Sequence, residues 1–110
     1  MVHSFTLDSG RQVACNFVII RLDRSCLVWV GTASSPPMLR RLTMALGKPT
    51  PVATTLFGAA QSGQDEASAL RLSRRTGLAV ILGSDLDDDP EPDVLRRYCE
   101  KFIADKLSGP

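Results

Sequence analysis

Residues 11–32 read RQVACNFVIIRLDRSCLVWVGT. Positions 11–22 are dominated by Val, Ile, Phe and Cys and hold no proline or glycine, the composition of a long strand. Val18, Ile19 and Ile20 run together, and β-branched side chains in series favour the pleat over the helix. Asp23-Arg24 is a tight turn, and residues 26–32 form the next strand. With Leu22 facing Ser25 across that turn, Cys15, Phe17, Ile19, Arg21, Cys26, Val28 and Val30 share one face. Ala14, Val18, Ile20, Leu22, Leu27 and Trp29 share the other, with Asn16 and Ser25. Both faces are apolar, whereas an antiparallel sheet covered on one side alternates apolar with polar.

Outward from this pair, residues 4–7 are a short strand ending in the turn cluster Asp8-Ser9-Gly10. Ser34-Ser35-Pro36-Pro37 is a loop. Residues 39–46 fit a helix stripe through Leu39, Leu42 and Leu46, and fit strand alternation through Leu42, Met44 and Leu46. A turn at 47–51 and the β-branched run 52–57 make them the first arm of a hairpin. A helix follows. Ser62 stands in cap position, Asp65 and Glu66 in the first turn, Arg71, Arg74 and Arg75 toward the last, and Gly77 as the stop. Its apolar side is thin: Ala67, Leu70 and the Arg74 stem, with Ala69 and Leu72 beside them. Residues 78–83 are a buried strand. After the acidic stretch 85–93, Leu95, Tyr98, Phe102, Ile103 and Leu107 recur at helical spacing.

The expected fold class is α+β. It is a single antiparallel sheet of about six strands with two helices on one face, order βββββαβα, in one domain spanning 1–110. Two helices normally cover one face of such a sheet. Either they divide between the faces, or the second face exposes a patch that calls for a partner. Cys15, Phe17, Ile19, Val28 and Val30 are small and uniform, and suit the face beneath the helices. Val18, Ile20, Leu27 and Trp29 are the expected partner-binding residues, because an aromatic anchor with admixed Asn16 and Ser25 suits an interface.

Thirteen basic residues against twelve acidic ones leave a net charge of +1. That balance gathers no nucleic acid from a distance. The pairs Arg40-Arg41, Arg74-Arg75 and Arg96-Arg97 lack interleaved aromatics and are expected on solvated faces. Three cysteines with no CxxC, and one histidine, His3, at a frayed start, cannot assemble a zinc set. Reduced thiols in the cytoplasm or nucleus are the expectation, with Cys15 and Cys26 inert in apolar strands. No charged start precedes an apolar stretch, so no signal peptide is expected, and no apolar run approaches the roughly 20 residues that span a bilayer.

Two near-motifs fall short of chemistry. Gly58-Ala59-Ala60-Gln61-Ser62-Gly63 has P-loop glycine spacing between a strand and a helix, but Gln64 and Asp65 replace the lysine and hydroxyl that phosphate and Mg²⁺ require. The run Asp85-Leu86-Asp87-Asp88-Asp89 opens like a calcium loop, but Pro90 stands where glycine must turn and Arg96 where a bidentate Glu belongs. Those carboxylates are expected on an open loop, serving a helix dipole and solubility. No GxSxG frames a serine, and His3 would be a poorly placed base. No enzyme activity and no cofactor are expected.

The segment Ile20-Arg21-Leu22-Asp23-Arg24-Ser25-Cys26-Leu27-Val28-Trp29-Val30-Gly31 resembles the strand-turn-strand of the proteasome assembly chaperone 4 family, with RLxxSxxxWVG its most specific part. Residues 51–58 (PVATTLFG) and 69–76 (ALRLSRRT) are similar too, and the likeness runs in order over roughly residues 12–107. It implies an antiparallel sheet with two helices on one side. It implies a heterodimer with a related proteasome assembly chaperone, number 3 of the set, paired sheet against sheet. That heterodimer binds a 20S proteasome alpha subunit and promotes ordered alpha-ring assembly, then leaves before the particle matures. No nucleic acid or membrane partner follows from it. Two other classes stay open: a small nucleotide- or phosphate-binding domain using the loop from Gly58 to Asp65, and a self-associating signalling scaffold.

Overall fold

The computed structural model describes residues 1–34, 36–47, 51–58, 64–87 and 89–108. In chain order the elements are β1 (Val2–Thr6), β2 (Gln12–Arg21), β3 (Ser25–Thr32), β4 (Leu42–Leu46), β5 (Val52–Phe57), α1 (Gln64–Thr76), β6 (Ala79–Asp85) and α2 (Pro92–Ser108). The strands form one sheet in the order β1-β2-β3-β6-β4-β5. The β2–β3 turn falls on Asp23-Arg24. Leu22 N donates to Ser25 O at 2.8 Å, and Arg21 stands opposite Cys26. This register places Cys15, Phe17, Ile19, Val28 and Val30 on one face and Val18, Ile20, Leu27 and Trp29 on the other.

The sheet is mixed rather than wholly antiparallel, because β6 pairs with β3 in parallel. Both β5 and β6 are antiparallel to β4, so they run the same way. A parallel return needs a crossover, which α1 supplies while skipping β4. The crossover sets β6 between β3 and β4, where it is paired on both sides. That position accounts for its nearly unbroken burial.

α1 and α2 lie on the same face. Phe17 is 1% exposed and Val28 0%. Above these strands pack Ala69 and Leu72 of α1 and Leu95, Cys99, Ile103 and Leu107 of α2. Phe5, Phe17 and Phe102 form an aromatic cluster over β1 and β2. His3 is part of it, stacked on Phe102 at 4.3 Å between centroids, so it is held in β1 rather than frayed.

The buried side of α1 differs from its apolar stripe. Ser68, Ala69, Leu72 and Ser73 face inward, while Ala67 and Arg74 are exposed and Leu70 is half-buried. Small residues let the helix lie close to the sheet: a Cβ on Gly47 would stand 2.9 Å from Arg74 N. The buried serines find partners, as buried hydroxyls must. Ser73 Oγ donates to Leu78 O at 2.6 Å and accepts from Gly47 N at 2.8 Å. Gly77 ends the helix with φ of 76°, its N–H on Ser73 O. The cap expected at Ser62 lies outside the described residues.

The acidic stretch is clamped rather than open. Arg41, immediately before β4, is buried. Its Nε donates to Asp65 Oδ2 at 2.7 Å, and its two terminal nitrogens grip Asp87 at 2.9 and 2.8 Å. Arg96, also buried, donates to Asp65 from the other side, and Ser84 Oγ donates to the same carboxylate at 2.9 Å. Arg11 holds buried Asp89 through a two-pronged contact of 2.8 and 2.9 Å. One member each of the Arg40-Arg41 and Arg96-Arg97 pairs is therefore a buried counter-ion and not part of a solvated face. Buried charge demands such pairing. Among the described residues no cluster of His, Cys, Asp or Glu could hold a metal ion.

The hydrogen bonds from Arg41 and Arg11 hold Asp87 and Asp89 below their ordinary pKa. A depressed folded-state carboxylate supplies stability above its ordinary value near 3.8, and that stability is lost as pH falls through the depressed one. Thermal melts followed by circular dichroism will show the melting temperature falling as the pH drops below about 4. In Arg11→Gln it is lower at neutral pH and falls less steeply over that window. An unchanged slope would remove the clamp from the acid response.

All three cysteines are buried and free. Cys99 and Cys15 lie 3.9 Å apart, Sγ to Sγ, and the hydrogen bond between them together with burial pushes the Cys99 thiol up. Burial raises Cys26 as well. The expected outcome with a thiol-reactive disulfide reagent is no rapid labelling until the chain is unfolded. Fast modification of one thiol in the native protein would contradict this packing.

Candidate functional site

The face opposite the helices is built by strand alternation alone. From β2 it receives Asn16, Val18 and Ile20, and from β3 Ser25, Leu27, Trp29 and Gly31. Pairing carries it on through Ile81 and Gly83 of β6, Leu42, Met44 and Leu46 of β4, and Val52 of β5. Val18 and Ile20 are each 46% exposed, Leu22 57% and Val52 53%. Among the described strand residues of this face, Asp85 is the one ionisable side chain. It is buried, with Arg40 Nε 3.1 Å from its Oδ1 in an ion pair not aligned as a hydrogen bond. A continuous apolar surface across five strands is far from the scattered apolar residues of an ordinary exterior.

Trp29 has a particular seat on this face. Its indole spreads over two glycines: a Cβ on Gly31 would stand 2.6 Å from Trp29 Cη2, and one on Gly83 would stand 3.1 Å from Cδ1. The indole Nε1 donates to Met38 O at 3.0 Å, which ties the β3–β4 connection down over the end of the sheet. The ring is half-buried and lies flat, so it is not a projecting anchor. Beside it Asn16, Val18, Trp29, Pro37, Met38 and Leu39 line an open cleft of about 410 Å³.

Val18, Ile20 and Leu27 are exposed on this face, next to one another on β2 and β3. The expected site omitted Leu22, Met38, Leu39, Leu46 and Val52, all exposed here. The alternation Leu42-Met44-Leu46 was the signal for β4. Nothing in sequence brought β4 beside β6, since that adjacency comes from the crossover. The glycine-spaced loop lies outside the described residues except at its ends. Gly58 has φ of 88° and packs so tightly on Arg40 O that a Cβ would collide with it, a backbone reason for glycine. Asp65 is engaged by Arg41 and Arg96. A polar cleft of about 470 Å³ between the helices, lined by Gln64, Arg71, Asp93, Arg96, Arg97 and Glu100, is crossed by the ion pair of Arg71 with Glu100, 2.6 Å.

A methyl group on Gly31 must displace the indole. Gly31→Ala is expected to shift the emission of the single tryptophan to longer wavelength and to lower the melting temperature, with the sheet retained by circular dichroism. Unchanged emission would show that the ring is not seated on Gly31.

The sequence profile for proteasome assembly chaperone 4 matches residues 14–86, which span both central strands, the β4–β5 hairpin, α1 and β6. No curated protein matches significantly. Among solved structures, a chain in the crystal structure of a novel chaperone complex for yeast 20S proteasome assembly superposes with a TM-score of 0.59. That likeness has 16% sequence identity and covers 97% of this chain and 91% of that one, which supports the same fold. With most of its length matched by the profile, this chain belongs to the proteasome assembly chaperone 4 family.

Proposed function

We propose that this protein is a non-catalytic proteasome assembly chaperone that pairs, through the bare face of its sheet, with a related chaperone. The pair then binds a 20S proteasome alpha subunit and promotes ordered alpha-ring assembly, in the cytoplasm and nucleus. One observation carries the reading: an apolar, nearly charge-free sheet face left uncovered by both helices. Covering it removes that surface from water, the main favourable term in association. Family membership supports the assembly role, and the yeast structure of the same fold is itself a chaperone complex. The related chaperone is number 3 of the set, as the sequence resemblance implies.

The test is co-expression with that chaperone, then native mass spectrometry of the purified material alone and with a free alpha subunit. Ile20→Glu is expected to abolish pairing while the chain stays folded, since it plants a charge in the centre of a desolvated surface. Trp29→Ala is expected to weaken pairing by about thirtyfold, roughly 2 kcal/mol, because it removes the indole that floors the face and holds the β3–β4 connection through Met38 O. A wild-type chain that stays alone with the related chaperone present would sink the pairing. Ile20→Glu pairing as tightly as wild type would place the interface elsewhere.

A further inference from the structure

We infer that Cys15 and Cys99 form a dithiol that closes to an intramolecular disulfide when hydrogen peroxide enters from the cleft between the helices, tying α2 to β2. The bond lies on the helix side of the sheet, away from the bare face, and is independent of the pairing proposed above.

Cys15 on β2 and Cys99 on α2 are 84 residues apart in sequence, yet their sulfurs stand 3.9 Å apart. Both are buried between sheet and helix, each held by a regular element. A disulfide needs the sulfurs at about 2.05 Å, so they must close by roughly 2 Å. Cys26 is out of reach. It stands opposite Arg21 while Cys15 stands opposite Thr32. Six strand positions separate them, roughly 20 Å.

Cys99 also borders a cavity. With Ser68, Ser84, Arg96 and Glu100 it surrounds a space of about 10 Å³, at the lower limit for one water. Arg96 and Glu100 line the open polar cleft as well. Those two side chains therefore stand between the thiol pair and solvent. A molecule of two oxygens passes with a small displacement of Glu100. Glutathione disulfide or an aromatic disulfide reagent does not fit. Size thus decides which oxidant reaches the sulfurs.

A single buried thiol is inert because burial disfavours the thiolate. The pair differs. The Cys99 S–H donates to Cys15 Sγ, and that bond draws the Cys15 thiol below its ordinary value. After one proton leaves, the other is held between both sulfurs. The thiolate attacks one peroxide oxygen, the O–O bond breaks, and hydroxide departs and takes up the released proton as water. The resulting sulfenic acid faces the second thiol. That sulfur attacks the sulfenic sulfur, the S–O bond breaks, and hydroxide leaves with the thiol proton as a second water. Two thiols are oxidised by two electrons, and one peroxide is reduced to two waters.

The reduced full chain is treated at neutral pH with hydrogen peroxide or with glutathione disulfide, then alkylated in denaturant at intervals. Intact mass and tryptic mapping follow the products. Peroxide is expected to give a Cys15–Cys99 cross-link, two hydrogens lighter, with Cys26 still open to alkylation. Glutathione disulfide is expected to give none in the same time. Cys99→Ser gives no cross-link and Cys26→Ser behaves as wild type. Glu100→Ala, which joins the cavity to the cleft, is expected to speed the reaction severalfold. The oxidised chain is expected to melt several degrees above the reduced one, because the bond closes a long loop in the unfolded state. If a variant does not fold, the wild-type products carry the test. Three alkylated thiols after peroxide, a sulfinic acid without a cross-link, or a cross-link to Cys26 would overturn the dithiol. Cross-linking by glutathione disulfide as fast as by peroxide, or an unchanged rate in Glu100→Ala, would overturn entry through the cleft. An oxidised chain that melts below the reduced one would show that the fold is not set for the bond.

Discussion

Two apolar surfaces of one sheet compete for a single pair of helices, and the architecture follows from how that competition is resolved. β2 and β3 carry apolar side chains on both faces, with their register fixed at Asp23-Arg24. α1 returns from β5 to β6, and α2 returns from the end of β6 toward the β2–β3 turn, where Arg21 donates to Leu107 O at 2.9 Å. Both helices therefore run the same way over the same face, α1 across β4, β5 and β6 and α2 across β1 and β2. Their residues are spent on Phe17, Val28, Val30 and Leu82, and nothing of comparable size remains for Val18, Ile20 and Leu27.

The helix layer is held by charge as well as by apolar packing. Asp65 at the start of α1, Asp87 after β6 and Arg96 in the first turns of α2 meet around Arg41. Three connections otherwise distant in sequence are thereby locked at one end of the sheet. Removing either member of such a buried set leaves an uncompensated charge, so it acts as a constraint on geometry more than as a source of net stability. On the opposite face a different device does the fixing. Gly83, directly opposite Trp29 on β6, and Gly31, two residues further along β3, give its indole a floor, and the Met38 carbonyl holds its edge.

Charge economy on the bare face bears on its use. A face destined for water needs charged side chains to stay soluble, and those were placed on the helices and turns instead. Among the described strand residues of the face the one carboxylate, Asp85, is paired with Arg40 at its margin. An uncharged, preformed surface of this kind selects partners by shape and apolar content, with little electrostatic steering to speed the encounter.

Local physics settled much of this chain from sequence. β-branched runs, the Asp23-Arg24 turn, the Gly77 stop and the spacing of Leu95, Ile103 and Leu107 act within a few residues. They determined the element order βββββαβα and the two-faced character of β2 and β3. Three things depended on long-range contacts and were not legible. The parallel β3–β6 pairing comes from the handed return of α1, which no local pattern records. Ser68 and Ser73 face the core because close helix–sheet approach favours small side chains, and a hydroxyl bonded to a neighbouring backbone is not apolar in any periodicity. Arg41, Arg96 and the acidic stretch look solvated one residue at a time, and become buried only when strands and helices 20 to 80 residues apart bring opposite charges together. Sequence thus determined that a second apolar face exists, since alternation is a local property. Only the tertiary structure decided that both helices turn away from it, because that depends on which way a crossover closes.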